Sequence, residues 1–284
     1  SALSVMRLIP WPPGLVLEGE IMYEGKDLMN VSDSEMEKIR GKEISMIFQE
    51  ASAALNPVIT VGDQIAEALV THMSIGSKEA KDKAVELLRM MDIPNPEQRA
   101  KQYPFEFSGG MQQRAMIAMA MSCNPKILFC DEPTTALDVT VQAQVLELMK
   151  KLKDSYRMSM IMITHDLGIV AEICDNVAIM YAGKVVEYGT VREIYNEKAH
   201  PYTHALFDSI PSISEDKEEL KVIGGLTPDP TNIPTGCAFH PRCPYATEAC
   251  SLQEPPNIAL SDTHVVRCLR FAHDAPGKED AASE

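Results

Sequence analysis

The stretch Phe107–Asp138, FSGGMQQRAMIAMAMSCNPKILFCDEPTTALD, decides the fold. It joins a turn at Ser108, Gly109 and Gly110 to an apolar run, Ile127 to Cys130, that ends on two adjacent carboxylates, Asp131 and Glu132. A Ser-Gly-Gly turn that opens a helix presents backbone N–H groups and a positive helix end to an anion. An apolar strand in a parallel α/β sheet delivers the residues after it to the carboxyl edge, where ligands gather. One carboxylate there can organise Mg²⁺ while its neighbour acts on water, so the stretch implies ATP chemistry. Each piece alone has a plainer reading. An Asp-Glu pair after a strand is more often a cap or turn, Ser-Gly-Gly is usually a loop, and a lone His is usually structural.

On the N-terminal side, Glu20 to Tyr23 reads as a short strand turning at Glu24-Gly25. Glu43 to Phe48 reads as a second strand that leads into Gln49. From about Val61 to Asn124 the pattern is helical. Ala80, Ala84, Leu87, Leu88 and Met91 share one face, and Ser77 is the predicted N-cap. A helical subdomain inserted into an α/β core is therefore predicted over 61–124. Past the carboxylates, Val141, Val145, Leu148 and Leu152 mark the inner face of a helix, and Met160 to Ile163 a strand before His165. Strand, helix, strand predicts a right-handed parallel crossover.

Val177 to Tyr181 and Val185 to Tyr188 read as a final strand pair, so the α/β domain is predicted over 1–196. From 197 to 284 the character changes. Pro, Cys and turn residues dominate between Thr227 and Pro256, which predicts a small, loop-rich module that needs a staple. Ser1 to Ile9 reads as the tail of a helix, with the chain starting in mid-element.

The 284 residues carry a net charge of −15 and 45% hydrophobic content, the latter ordinary for a globular protein. The acidic balance argues against broad binding to nucleic acid or anionic lipid, which calls for basic patches. Apolar runs such as Ala115 to Met121 fall well short of the roughly 18 residues that span a bilayer. The N-terminal patch, broken by Arg7 and Pro10, lacks the pattern of a secretory signal. A cytosolic setting is predicted, with thiols unpaired or metal-bound. A G-x-x-x-x-G-K-[ST] loop, which would cradle nucleotide phosphates, is absent from the sequence.

Taken in order, Gln49, Ser108-Gly109-Gly110, Asp131-Glu132, Asp138 and His165 resemble the motif series of an ATP-binding-cassette (ABC) ATPase. FQEASAALNPV, FSGGMQQR, DEPTTALDVTVQAQ and ITHDLGIVAEICD resemble the nucleotide-binding subunits of oligopeptide and dipeptide importers. The resemblance covers nearly the whole chain. It implies a P-loop NTPase-type α/β fold, incomplete at its N-terminus because the P-loop is missing, with the helical subdomain and a small Cys-containing module. It implies that Asp131 holds Mg²⁺, that Glu132 is the general base and that His165 contacts the γ-phosphate. Gln49 would sense metal and γ-phosphate. Ser108, Gly109, Gly110 and Asp138 would serve the ATP of a partner subunit and the dimer interface. Met111 stands where the wider family has Gln.

The implied function is hydrolysis of ATP to drive import of oligopeptides or dipeptides, at the cytoplasmic face of the cell membrane. The implied partners are a second ABC ATPase subunit, two permease subunits and, indirectly, a solute-binding protein, with no nucleic acid. Two alternatives are a P-loop-less subunit that only completes a partner's ATP site and an ABC ATPase outside transport. The latter would need a second cassette, long coiled coils or basic surfaces, which the sequence lacks.

The seven cysteines divide unevenly. Cys123, Cys130 and Cys174 fall in apolar contexts and read as small buried hydrophobes. Cys237, Cys243, Cys250 and Cys268, spaced C-x5-C-x6-C-x17-C, match the ligand count of a Cys₄ site but not paired zinc knuckles or the common ferredoxin runs. The importer resemblance favours a [4Fe–4S] cluster; zinc and unligated thiols are the alternatives.

Overall fold

The computed structural model describes residues 2–10, 12–135, 137–209 and 223–272. The chain divides into two compact units, 1–169 and 170–284.

The first unit opens with α1 (Ala2–Val5), a hairpin of β1 (Met22–Tyr23) and β2 (Lys26–Asp27), and α2 (Asp33–Ile39). Next come β3 (Ile44–Ile47), α3 (Ala51–Ala54), α4 (Val61–Met73), α5 (Ser77–Met90), α6 (Pro96–Arg99) and α7 (Gly109–Met121). β4 (Ile127–Asp131), α8 (Val139–Tyr156) and β5 (Ser159–Ile163) complete the unit, and α9 (Leu167–Ile173) runs across the division. The strands form a parallel sheet in the order β3-β4-β5, with Ile44 opposite Ile127 and Ile127 opposite Ser159. All of β3 is buried, and so are Leu128, Phe129 and Cys130 in the centre of β4. That is why both read as near-continuous apolar runs, interrupted in β3 by the buried Ser45, rather than alternating ones.

α4 begins where Thr60 Oγ1 accepts the Asp63 N–H at 3.3 Å, and α5 buries Ala80, Ala84 and Leu88. Its N-cap is Gly76, one residue before the predicted Ser77, which is the first helical residue. Gly62 lets α4 approach the segment at Ala100 closely; a Cβ there would sit 2.6 Å from the Ala100 carbonyl oxygen. The loop before α4 is held by Gln64. Its side chain accepts from Asn56 N–H at 2.8 Å and donates to the carbonyls of Asn56 and Ile59, both at 2.9 Å. α7 is buried nearly all round, through Ala115, Met116, Ile117, Ala118, Ala120 and Met121, as a helix in the middle of a core must be. α8 adds Val145, Leu148, Met149 and Leu152 to that core.

The second unit holds β6 (Asn176–Tyr181), β7 (Lys184–Thr190), α10 (Val191–Asn196), α11 (Pro201–Asp208), α12 (Glu248–Leu252), β8 (Ile258–Ala259) and β9 (Val265–Val266). β6 and β7 form a hairpin over Ala182-Gly183, whose φ values of 47° and 80° give a turn that matches the strand twist. The division falls at 169/170 rather than at 196/197. β7 also pairs with β9, Glu187 opposite Val266 and Tyr188 opposite Val265, so the hairpin joins a four-stranded sheet, β6-β7-β9-β8, with the C-terminal segment.

The polar centre of this unit is Glu187. Its carboxylate accepts from Ala199 N–H at 2.7 Å, His200 N–H at 2.9 Å, the Thr203 hydroxyl at 2.5 Å and His264 Nε2 at 2.8 Å. One buried carboxyl group thereby ties strand, helix start and C-terminal segment together. In the same unit Tyr181, Tyr202 and Phe239 pack on one another with ring centroids 4.6–5.4 Å apart. Among the described residues no helix is long and apolar enough to cross a membrane.

Candidate active site

The three parallel strands each lead into a short segment that carries a polar side chain to the same place. β3 leads to Gln49, β4 to Glu132, and β5 to His165. Gln49 Nε2 donates to Glu132 Oε2 at 2.9 Å, and the Thr135 hydroxyl donates to the same oxygen at 3.0 Å. His165 Nδ1 lies 3.2 Å from Glu132 Oε1. The hydrogen bond from His165, then that from Thr135, hold the Glu132 carboxyl below the usual range for glutamate, against the opposing push of desolvation. The result is an ionised carboxylate at neutral pH, and one open to solvent. The side chain of Glu132 is 26% exposed and that of His165 73%.

The backbone at Glu132 is unusual. Its φ is +45°, left-handed for a residue with a Cβ. Its N–H is bound to the Ile163 carbonyl at 2.9 Å, which ties the end of β4 to β5. Asp131 is half-buried beside it at the strand end.

Ser108 is the N-cap of α7, its Oγ accepting the Met111 N–H at 3.4 Å; Gly109 is exposed and Gly110 half-buried. A Cβ at Gly109 would meet nothing within 4 Å, whereas one at Gly110 would lie 2.6 Å from Val141 Cγ1. Only a glycine lets the first turns of α7 and α8 come this close. Asp138 caps α8, its Oδ1 accepting from Thr140 and Val141 N–H at 3.1 and 3.0 Å. The structure thus gathers Gln49, Glu132 and His165 at one point, while Ser108 and Asp138 stand as caps of the two helices that meet at Gly110. Sequence reasoning does not single out Thr135; its only signal is a hydroxyl three residues past Glu132.

Cys237, Cys243, Cys250 and Cys268 line one small pocket of the second unit together with His200 and Phe239. The iron–sulfur assignment is nonetheless corrected. Among the described residues no group of three or more His, Cys, Asp or Glu side chains is arranged to hold a metal ion, and these four cysteines form no disulfide. Burial pushes the thiols of Cys237, Cys243 and Cys268 up. Burial likewise pushes His200 down to about 4, so its imidazole is neutral. Four cysteines close together are here part of an apolar packing unit.

A parallel sheet whose strand ends converge on a carboxylate, with a Ser-Gly-Gly-capped helix beside it, is the architecture of an ABC ATPase. The chain resembles the dimeric post-hydrolysis state of an ATP-binding cassette bound to ADP and Pi, with a TM-score of 0.55, 28% identity, and coverage of 62% of this chain and 75% of that one. Residues 9–135 match the ABC transporter family, and residues 186–250 match the oligopeptide/dipeptide transporter, C-terminal region. Against the oligopeptide transport ATP-binding protein OppD of Bacillus subtilis (strain 168) the identity is 53%, over 98% of this chain and 78% of that protein. Against the dipeptide transport ATP-binding protein DppD of the same organism it is 48%, over 94% of this chain and 80% of that protein. The chain belongs to the family of ATP-binding proteins of oligopeptide and dipeptide ABC transporters.

Proposed function

We infer that this chain is the ATP-binding, ATP-hydrolysing subunit of an ABC importer that energises uptake of oligopeptides or dipeptides. The observation that carries the catalytic half is the Glu132 carboxylate, held by Gln49 and Thr135 on one oxygen and by His165 on the other. An ionised carboxylate fixed in direction and reached by solvent is suited to take a proton from an attacking water. In this reading Glu132 is the general base, and His165, exposed at its rim, contacts the γ-phosphate. Gln49 reports the state of the site to the membrane subunits.

Magnesium fits the donors present. Asp131 offers a carboxylate, and Gln49, with its amide nitrogen given to Glu132, keeps its carbonyl oxygen for a hard cation that prefers one or two protein oxygens plus phosphate and water. Asp131 and Gln49 would hold it, and when bound it neutralises charge on the phosphates. Ser108, Gly109 and Gly110, an exposed turn at the start of a 13-residue helix, would contact the ATP of a second ATPase subunit, with Asp138 at the same interface. The phosphate-cradling G-x-x-x-x-G-K-[ST] loop is not among the 284 residues.

The partners of this reading are a second ATPase subunit, two permease subunits and, indirectly, a solute-binding protein, with the chain peripheral on the cytoplasmic face of the membrane. ATP between two subunits closes them and hydrolysis releases them, which moves the permease. The match of residues 186–250 to the peptide-transporter C-terminal region supports transport over the other tasks of ABC ATPases. The test is reconstitution with the permease and its ATPase partner in vesicles. ATP-dependent accumulation of labelled di- or oligopeptides is expected, and an assembly that hydrolyses ATP without moving any peptide would sink the reading.

A further inference from the structure

We propose that Gln113 is a positioning residue that links the Ser108–Gly110 turn to the setting of Glu132. The inference rests on Glu132 being the base and on that turn facing a partner's nucleotide. Gln113 lies one helical turn behind Gly110 and is only 3% exposed. Its Nε2 donates to the carbonyl of Pro133 at 2.6 Å. Pro133 is the residue after Glu132, so this bond grips the peptide between Pro133 and Thr134, one residue past the base.

The grip matters because of the Glu132 backbone. A left-handed φ of +45° at a residue with a Cβ persists only where the surroundings fix it. On one side the fix is the bond from Glu132 N–H to the Ile163 carbonyl. On the other, beside the local bond from Thr135 N–H to the Glu132 carbonyl at 3.3 Å, it is the amide of Gln113 on the next carbonyl, that of Pro133. The first belongs to the sheet; the second belongs to α7, the helix that carries the exposed turn.

α7 touches the same stretch at two more places. The bare Cα of Gly110 sits against Val141, and Arg114 Nη2 donates to Gln144 Oε1 at 2.9 Å while its Nη1 donates to the Met91 carbonyl at 3.0 Å. Pro133 and Gln144 are thus each fastened to α7. A helix that shifts when a neighbouring nucleotide meets Ser108 carries Pro133 with it, and Gln113 delivers the shift to the base.

The test uses the complete subunit assembled with its ATPase and permease partners. Gln113→Met keeps the volume and removes both N–H donors. Turnover at saturating ATP should fall about tenfold, the worth of a lost buried hydrogen bond. The KM for ATP should stay within about twofold, since binding does not depend on the base. Combined with Thr135→Val, which loosens the same carboxylate, the loss should be less than the product of the two single losses. Unchanged kcat, multiplicative losses, or a KM that rises in step with the fall in kcat would each overturn the assignment. Should Gln113→Met not fold, Gln113→Leu takes its place, and failure of both to fold would make Gln113 a stability residue only. Glu132→Gln in the same assembly separates the two claims. Retained turnover there removes the base, whereas lost turnover with a normal Gln113 variant removes only this inference.

Discussion

Two glutamate–histidine pairs stand in the two units, and they are put to opposite uses. Glu132 and His165 meet at 3.2 Å with their side chains 26% and 73% exposed; Glu187 and His264 meet at 2.8 Å, exposed 0% and 3%. The closer pair is also the better buried one. Every direction around the Glu187 carboxylate is taken up by a donor of the same unit, so there is no approach for a reactant. Glu132 accepts three side-chain bonds yet remains open on the side that water can reach. The lesson is that satisfaction stabilises, while function needs a group that is oriented but left accessible.

Four substitutions would break or sharpen this contrast. Glu132→Gln, in the assembled transporter, should lower ATP turnover by about 10²–10⁴ through loss of the base, with the folded state intact by thermal unfolding. A turnover near normal would place the base elsewhere. Glu187→Ala should do the reverse. It strands several buried donors and should cost on the order of 3–5 kcal/mol of stability in denaturant titration, with no specific loss of turnover in the molecules that remain folded. Gly236→Ala, also in the second unit, forces a Cβ to within 2.4 Å of the Cys250 carbonyl at a φ of +69°, and should cost about 1–3 kcal/mol in the same titration.

Thr135→Val is the mildest. It removes one of the bonds on the Glu132 carboxylate and should reduce turnover several-fold, the value of a single hydrogen bond of about 0.5–1.5 kcal/mol. Its signature lies in pH. The carboxyl is held below its ordinary range, first by His165 and then by Thr135, so Glu132 stays ionised to lower pH than a free glutamate would. Turnover is kept above that depressed value and lost as pH falls through it. Removing Thr135 raises the value, so the acidic limb of the kcat profile should move upward. A limb that stays in place would show that Thr135 does not act on the base.

Much of this was legible in the chain because parallel strands announce themselves. ISMI and ILFCD are apolar at every buried position but Ser45, and the residues just past each run, Gln49 after the first and Glu132 after the second, are the ones the structure brings together. His165 is placed by the same logic at the end of β5. Less was legible where contacts are far apart in sequence. The pairing of Tyr188 with Val265 moved the hairpin into the second unit, and no local pattern announces a two-residue strand. Ser77 looked like a cap because serine favours that position; Gly76 took it because its backbone already has the extended φ and ψ of a cap, −72° and 152°. The four late cysteines matched a ligand count, but whether thiols become ligands depends on arrangement and ionisation, which spacing does not encode. Gln113 was invisible because its partner, a backbone carbonyl 20 residues away, leaves no mark on the sequence.

The side chain of Gln64 has a consequence for heredity. By holding the carbonyls of Asn56 and Ile59 and the N–H of Asn56, one amide measures out the loop between α3 and α4 residue by residue. Most surface loops accept an added or deleted residue, since closing a slightly longer loop costs little. This one has its length counted. Point changes at an exposed position such as Val58 can drift, while an insertion or deletion between 55 and 60 would leave Gln64 grasping the wrong atoms.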